Sequence, residues 1–277
     1  MAQTEHANIA VFIIEGLLVF FILFKIYVAR RGRELFIRRI AGLSSLEESV
    51  GRATEMGKPM LFVPGIGGLD VVGLQAMAIL SNVVRKAAKF GTRVIVPNID
   101  PLLYTISEEV SKEAFAAGGN PEQFNEEDIR FLSSDQFAYT AGVVGIMHRE
   151  KTATILYFGS FFAESLILAE NGQLAGAIQI AGTPSTTQIP FFLVACDYTI
   201  IGDEYYAASA YLSREPTLMG SLVGQDYGKL LIIGVIVIGA LAITVSTLRD
   251  TSPVWHWVNQ QLSWFNHNFL DYFPKKG

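Results

Sequence analysis

The sequence predicts an α/β fold: a parallel-sheet, Rossmann-like cytoplasmic domain flanked by two transmembrane helices. Three observations carry this. Residues 9–28 and 230–248 are apolar apart from Glu15 and Lys25, and a helix rising about 1.5 Å per residue needs about 20 residues to cross a bilayer core. Between them, short runs that are apolar on both faces alternate with helix-like segments, the texture of a parallel sheet covered on two sides. The first of those runs ends in Gly65-Ile66-Gly67-Gly68, a tight turn of the kind that joins a strand to the helix after it.

Residues 1–29 hold the first span. A secretory signal would open on basic residues and lead to small ones. Here Glu5 precedes the span and Arg30, Arg31, Arg33, Arg38 and Arg39 follow it, so the span reads as a retained anchor. By the positive-inside bias these charges predict a multi-pass cell-membrane protein, its central domain cytoplasmic and both termini outside. Residues 30–50 continue as a basic juxtamembrane helix, with Leu35, Phe36, Ile40 and Leu43 at helical spacing. Ser45 and Glu48 read as a capping box that opens a further turn.

The α/β domain is assigned to residues 51–227. Residues 60–63 form its first strand, and the apolar positions from Leu69 to Val84 give a helix that Gly91 ends. Residues 93–96 are a second strand closed by Pro97, and 101–117 a helix stopped at Gly118-Gly119. The polar stretch 120–128 is a surface loop in which Pro121 could open a short helix. A helix over 135–149 leads to a strand over 153–158. Residues 161–170 form a helix that Asn171-Gly172 stops. Residues 177–181 and 191–198 read as two buried strands, and 204–212 closes the domain before Pro216. The second span is assigned to 228–249 and an aromatic, amphipathic tail to 250–277.

Composition narrows the function classes. The 277-residue chain is 51% hydrophobic and 17% charged, with a net charge of −5 and one cysteine. Basic residues cluster beside the first span, which suits anionic headgroups, and no basic stripe elsewhere points to nucleic acid. Cys196 alone excludes an intrachain disulfide and any cysteine-rich metal site, and four histidines without paired spacing supply no metal centre either. The consecutive acids Glu126, Glu127 and Asp128 read as a solvated loop. Asp197 and Tyr198, ending an apolar run, read as structural pairing. No cofactor is expected.

Right-handed crossovers would gather the loops after each strand along one sheet edge, where such folds bind ligands. That edge collects Gly65, Gly67, Gly68, Asn98, Asp100, Ser160 and Thr183 as candidate ligand contacts. The glycine turn has the right place for a phosphate, since glycines admit close approach and a helix N-terminus offers free N–H groups. However, the dinucleotide fingerprint wants Gly or Ala at its sixth position and Asp70 stands there; no P-loop Lys follows. Gly159-Ser160 sits where a nucleophile elbow would, yet Phe158 and Phe162 occupy the elbow's glycine positions. The later histidines, His256 and His267, fall beyond the second span. A catalytic set is not expected.

The spans hold their own candidates. Glu15 lies about 10 Å inside the first by helical rise, where an ionised carboxylate is costly and calls for a partner. Gly239, Ala242 and Ser246 line one face of the second, which lets another helix approach. Trp255, Trp257, Trp264, Phe265 and Phe269 form the tail's aromatic face, suited to the membrane interface or to a partner.

Residues 51–59 (GRATEMGKP), 175–183 (AGAIQIAGT), 191–212 (FFLVACDYTIIGDEYYAASAYL) and 220–226 (GSLVGQD) resemble an uncharacterised family of prokaryotic membrane proteins, a domain of unknown function. The resemblance implies a membrane-anchored α/β domain and brings no activity, cofactor or site residue. The expected role is a structural or scaffold subunit that self-associates, a homo-oligomer, or joins other membrane-protein subunits in the lipid bilayer. The alternative is a tethered binding domain or enzyme for a nucleotide or other anionic ligand. A third, an ion-translocation component, would be built around Glu15.

Overall fold

A computed structural model describes residues 9–32, 41–248 and 263. The chain divides into two compact units, residues 37–215 and residues 1–36 with 216–277.

The first unit runs α2 (Ala41–Met56), β1 (Met60–Gly65), α3 (Val71–Lys89), β2 (Val94–Asn98), α4 (Pro101–Gly118), β3 (Ile129–Phe131), α5 (Gln136–Glu150), β4 (Thr154–Ser160), α6 (Glu164–Leu174), β5 (Ile178–Thr183), α7 (Ile189–Ala195), β6 (Tyr198–Ile201) and α8 (Glu204–Ser213). Two 3₁₀ turns, Pro121–Gln123 and Glu126–Asp128, lie before β3. All six strands are parallel, in the order β3-β2-β1-β4-β5-β6. That is the doubly wound order, whose switch point lies between β1 and β4.

Two apolar layers sandwich the sheet. Phe62, Val96, Phe158 and Ile200 face α2, α3, α4 and α8, where Leu80, Val83, Leu103 and Leu212 are buried. Val63, Ile95, Tyr157 and Ala181 face α5, α6 and α7, where Val143, Leu168 and Phe192 fill the layer. Alternate residues of β1, β2, β4 and β5 serve opposite layers, which is why these strands read as unbroken apolar runs. Phe192 packs edge-on to Phe161, 5.1 Å between centroids, and stacks on Tyr157 at 5.5 Å.

Four expectations change. Ser45 and Glu48 lie inside α2, so no capping box opens there; Glu48 instead pairs with Arg52, one turn along, at 2.8 Å. Residues 191–198 are not a strand: Pro190 opens α7, and β6 begins only at Tyr198. The short strand β3 falls where none was expected. Its edge is blunted by an ion-pair cluster in which Asp128 meets Arg93 at 2.5 Å and Arg130 meets Glu150 at 3.0 Å. The helix expected to stop at Asn171-Gly172 runs on to Leu174.

The second unit pairs α1 (Ile9–Arg30) with α9 (Pro216–Leu248). Both are long and apolar enough to cross a membrane, over residues 12–30 and 216–244. Gly220, Gly224 and Gly228 recur every four residues on α9 and face Ile26, Ile22 and Leu18 of α1. A Cβ on Gly224 would stand 2.6 Å from Ile22 Cα, so only glycine admits this approach. Lys25 Nζ lies 3.8 Å from the Tyr227 ring centre, and Arg30 donates to Thr217 Oγ1 at 3.3 Å.

Candidate functional site

The carboxyl ends of the strands are where this topology binds ligands. The glycine turn sits there, after β1. Gly65 and Gly68 adopt left-handed φ of 80° and 68°, which turns the chain sharply into α3. The turn lies directly on the end of β4. Ile66 N donates to Ser160 O at 2.8 Å. A Cβ on Gly65 would collide with the Ser160 backbone, and one on Gly67 would stand 2.6 Å from Ser160 Cβ. From the β4 side, Gly159 (φ 155°) packs equally tightly on Pro64 O. Backbone therefore fills the crevice between β1 and β4, where a pyrophosphate would lie.

The helix N-termini around it are satisfied from within. Asp70 caps α3, accepting from Gly73 N at 2.6 Å. Asp100 caps α4, accepting from Leu102 N at 2.7 Å, and also lies against Gly68. Asp135 caps α5 through Phe137 N and Ala138 N. Glu164, fully buried in the first turn of α6, accepts from Phe162 N at 2.9 Å and Gln136 Nε2 at 2.6 Å. Asp70, Asp100 and Asp135 each accept from N–H groups in the first turn of their helix, and all four carboxylates add negative charge where an anionic ligand would lie.

The structure thus brings Gly65, Gly67, Gly68, Asp100 and Ser160 together at one point. Asn98 and Thr183 are on the same edge but fully buried. Asn98 Nδ2 donates to Val96 O at 3.2 Å and its Oδ1 accepts from Ser107 Oγ at 3.0 Å, tying β2 to α4. Thr183 Oγ1 accepts from Ser185 N at 3.2 Å. Both are spent on the scaffold. Tyr139, buried beneath this edge, donates to Pro97 O at 3.2 Å; burial and the Glu164 charge raise its phenol far above the ordinary range.

A second hollow, of about 250 Å³, opens at the opposite edge between α2 and the start of β5 and β6, lined by Ser45, Glu48, Arg52, Asp197 and Tyr198 among others. Its cation is already paired with Glu48, and Asp197 accepts from Gln179 N at 2.8 Å. Nearby, Cys196 is half-buried; burial and the Asp197 charge push its thiol up to about 12. Sequence pattern alone gave no sign of this hollow, because its lining comes from two distant segments, around residues 45–52 and 178–198. Among the described residues no group of three or more His, Cys, Asp or Glu side chains could hold a metal ion.

Of the span candidates, Glu15 is exposed on α1, and no hydrogen bond or ion pair reaches it from another described residue. Gly239 and Ala242 lie partly exposed on α9, and Ser246 also belongs to that helix. The glycines that hold α1 are nearer its start. Trp255, Trp257, Trp264, Phe265 and Phe269 lie outside the described residues.

No curated protein and no solved structure matches the chain. A family model described as a domain of unknown function (DUF6754) matches residues 1–253. With the whole sheet-bearing unit and both α1 and α9 inside that match, the protein belongs to the DUF6754 family.

Proposed function

We propose that the protein is a membrane-anchored structural subunit that assembles with itself, its α/β unit serving as a docking body rather than an enzyme. One observation carries the reading: the ligand crevice of a doubly wound sheet is filled here by the chain's own backbone, and Asp70 and Asp100 take the helix N-terminal donors beside it. The glycine-tight pair of α1 and α9 supports a two-span anchor, and Glu15, without a partner among the described residues, supports a contact with another subunit inside the bilayer. The arginines that follow the first span support a cytoplasmic α/β unit with both termini outside. Native mass spectrometry of the full chain released from mild detergent tests the assembly. Masses at multiples of 30.4 kDa are expected, and a lone monomer across micromolar concentrations would refute it.

The tethered anion-binding alternative retains one supporting observation, the left-handed glycine turn at the switch point. A thermal-shift panel of nucleotides and inorganic phosphate decides between them: the structural reading expects no shift.

A further inference from the structure

The edge that holds the filled crevice is also ringed by apolar side chains that no described residue of the unit covers. Leu69 and Val71 stand at the start of α3 and Leu74 one turn in. Leu102 follows the Asp100 cap, Phe137 follows the Asp135 cap, and Phe162 precedes α6. Val71 is 65% exposed and Phe137 59%. The positions follow one design: a carboxylate ties up the N-terminal N–H groups, and the neighbouring side chain that turns outward is large and apolar.

These residues share one surface, because the loops that carry them touch. Gly68 meets Asp100, the turn 65–67 rests on Ser160, and Gln136 reaches Glu164. From their exposures the ring presents on the order of 600 Å² of apolar surface, the upper end for any patch on a monomer and a size that marks interaction sites.

We infer that the apolar ring around the carboxyl ends of the sheet is the self-association face of the α/β unit, and that its occupant is the same ring on a second copy. This rests on the assembly reading above. An isologous pairing covers the patch twice, about 1,200 Å² in all, which reaches the size of a stable specific interface. The three capping carboxylates are no obstacle at that size, since each is already hydrogen-bonded at the positive end of a helix. The face that would admit a nucleotide in a related topology instead admits a copy of itself.

The test compares full-length chains in mild detergent by native mass spectrometry and by cross-linking in native membranes. The variants are Val71→Glu/Phe137→Glu, and Phe90→Glu as a control at the opposite sheet edge, where Phe90 is 62% exposed. Unchanged circular dichroism reports that each variant folds. The expected result is an assembled wild type and Phe90→Glu, and at least a tenfold weaker association for the double variant. In a Cys196→Ser background, Phe137→Cys should cross-link between copies with a bis-maleimide of about 10 Å reach, and Phe90→Cys should not. A wild type that assembles and a double variant that assembles equally well would overturn this face while leaving self-assembly standing. A monomeric wild type would overturn both.

Discussion

Substitution at Asp70 separates charge from space as barriers to an anion at the glycine turn. Asp70→Ala removes the oxygen that accepts from Gly73 N at 2.6 Å. Loss of an N-cap costs about 1 kcal/mol, which in a unit of this size lowers Tm by about 2–4 °C. Asp70→Asn keeps an acceptor and stays within about 0.5 kcal/mol of the wild type. Because the Gly65–Gly68 backbone already lies on Ser160, neither variant gains affinity for phosphate or ATP. The assay is thermal unfolding by circular dichroism with and without ligand. A ligand present at a hundred times its Kd would add about 2.7 kcal/mol, or about 5–10 °C. A rise of that size in Asp70→Asn alone would refute the reasoning, because it would mean the crevice is open and only the carboxylate kept it empty.

Further substitutions probe the rest of the molecule. Phe192→Ala empties the contact with Tyr157 and Phe161 and should cost about 3–5 kcal/mol, read from denaturant unfolding; a loss under 1 kcal/mol would contradict the packing of α7. Gly224→Leu forces α9 away from Ile22 and should lower the thermal unfolding midpoint read by circular dichroism, whereas Gly234→Leu, with nothing within 4 Å of its Cβ position, should leave it unchanged. With its thiol raised to about 12 from an ordinary 9.0, Cys196 has about a thousandfold less thiolate at pH 8. Maleimide labelling of the folded protein should be slower by that order, and should accelerate as pH rises toward 12. The same shift favours folding below pH 9 and is lost as pH rises through the folded value, since the folded thiol then holds a proton that the unfolded one has released. Labelling at the rate of a free thiol at pH 8 would contradict this burial.

The longer helices and the four central strands were legible because most are a run of one periodicity closed by Gly or Pro. Misreadings fell where the signal was short or shared. Residues 191–195 are apolar in succession, and such a run fits a buried strand as well as one exposed turn of helix. Pro190, in the first turn, was the cue for the helix. β3 is three residues long and contributes one fully buried side chain, too little for any pattern. Ser45 and Glu48 matched a capping box by spacing, but the helix begins at Ala41 and never breaks there. At the site, sequence placed the glycine turn and flagged Asp70. What it could not give was the lateral fit of Gly67 on Ser160, a contact across 93 positions, or that Asn98 turns inward to Ser107.

The glycine ladder on α9 also bears on how the chain is made. About 185 residues separate the end of α1 from the start of α9, roughly 10–40 s of translation at 5–20 residues per second. Throughout that interval Leu18, Ile22 and Ile26 have no Gly220, Gly224 or Gly228 to nest against, and the intervening sheet has time to fold first. Closure of α9 on α1 consequently follows synthesis of the whole sheet-bearing unit, and a chain that stalls before Pro216 leaves the Leu18, Ile22 and Ile26 ridge of α1 without the glycine groove that receives it.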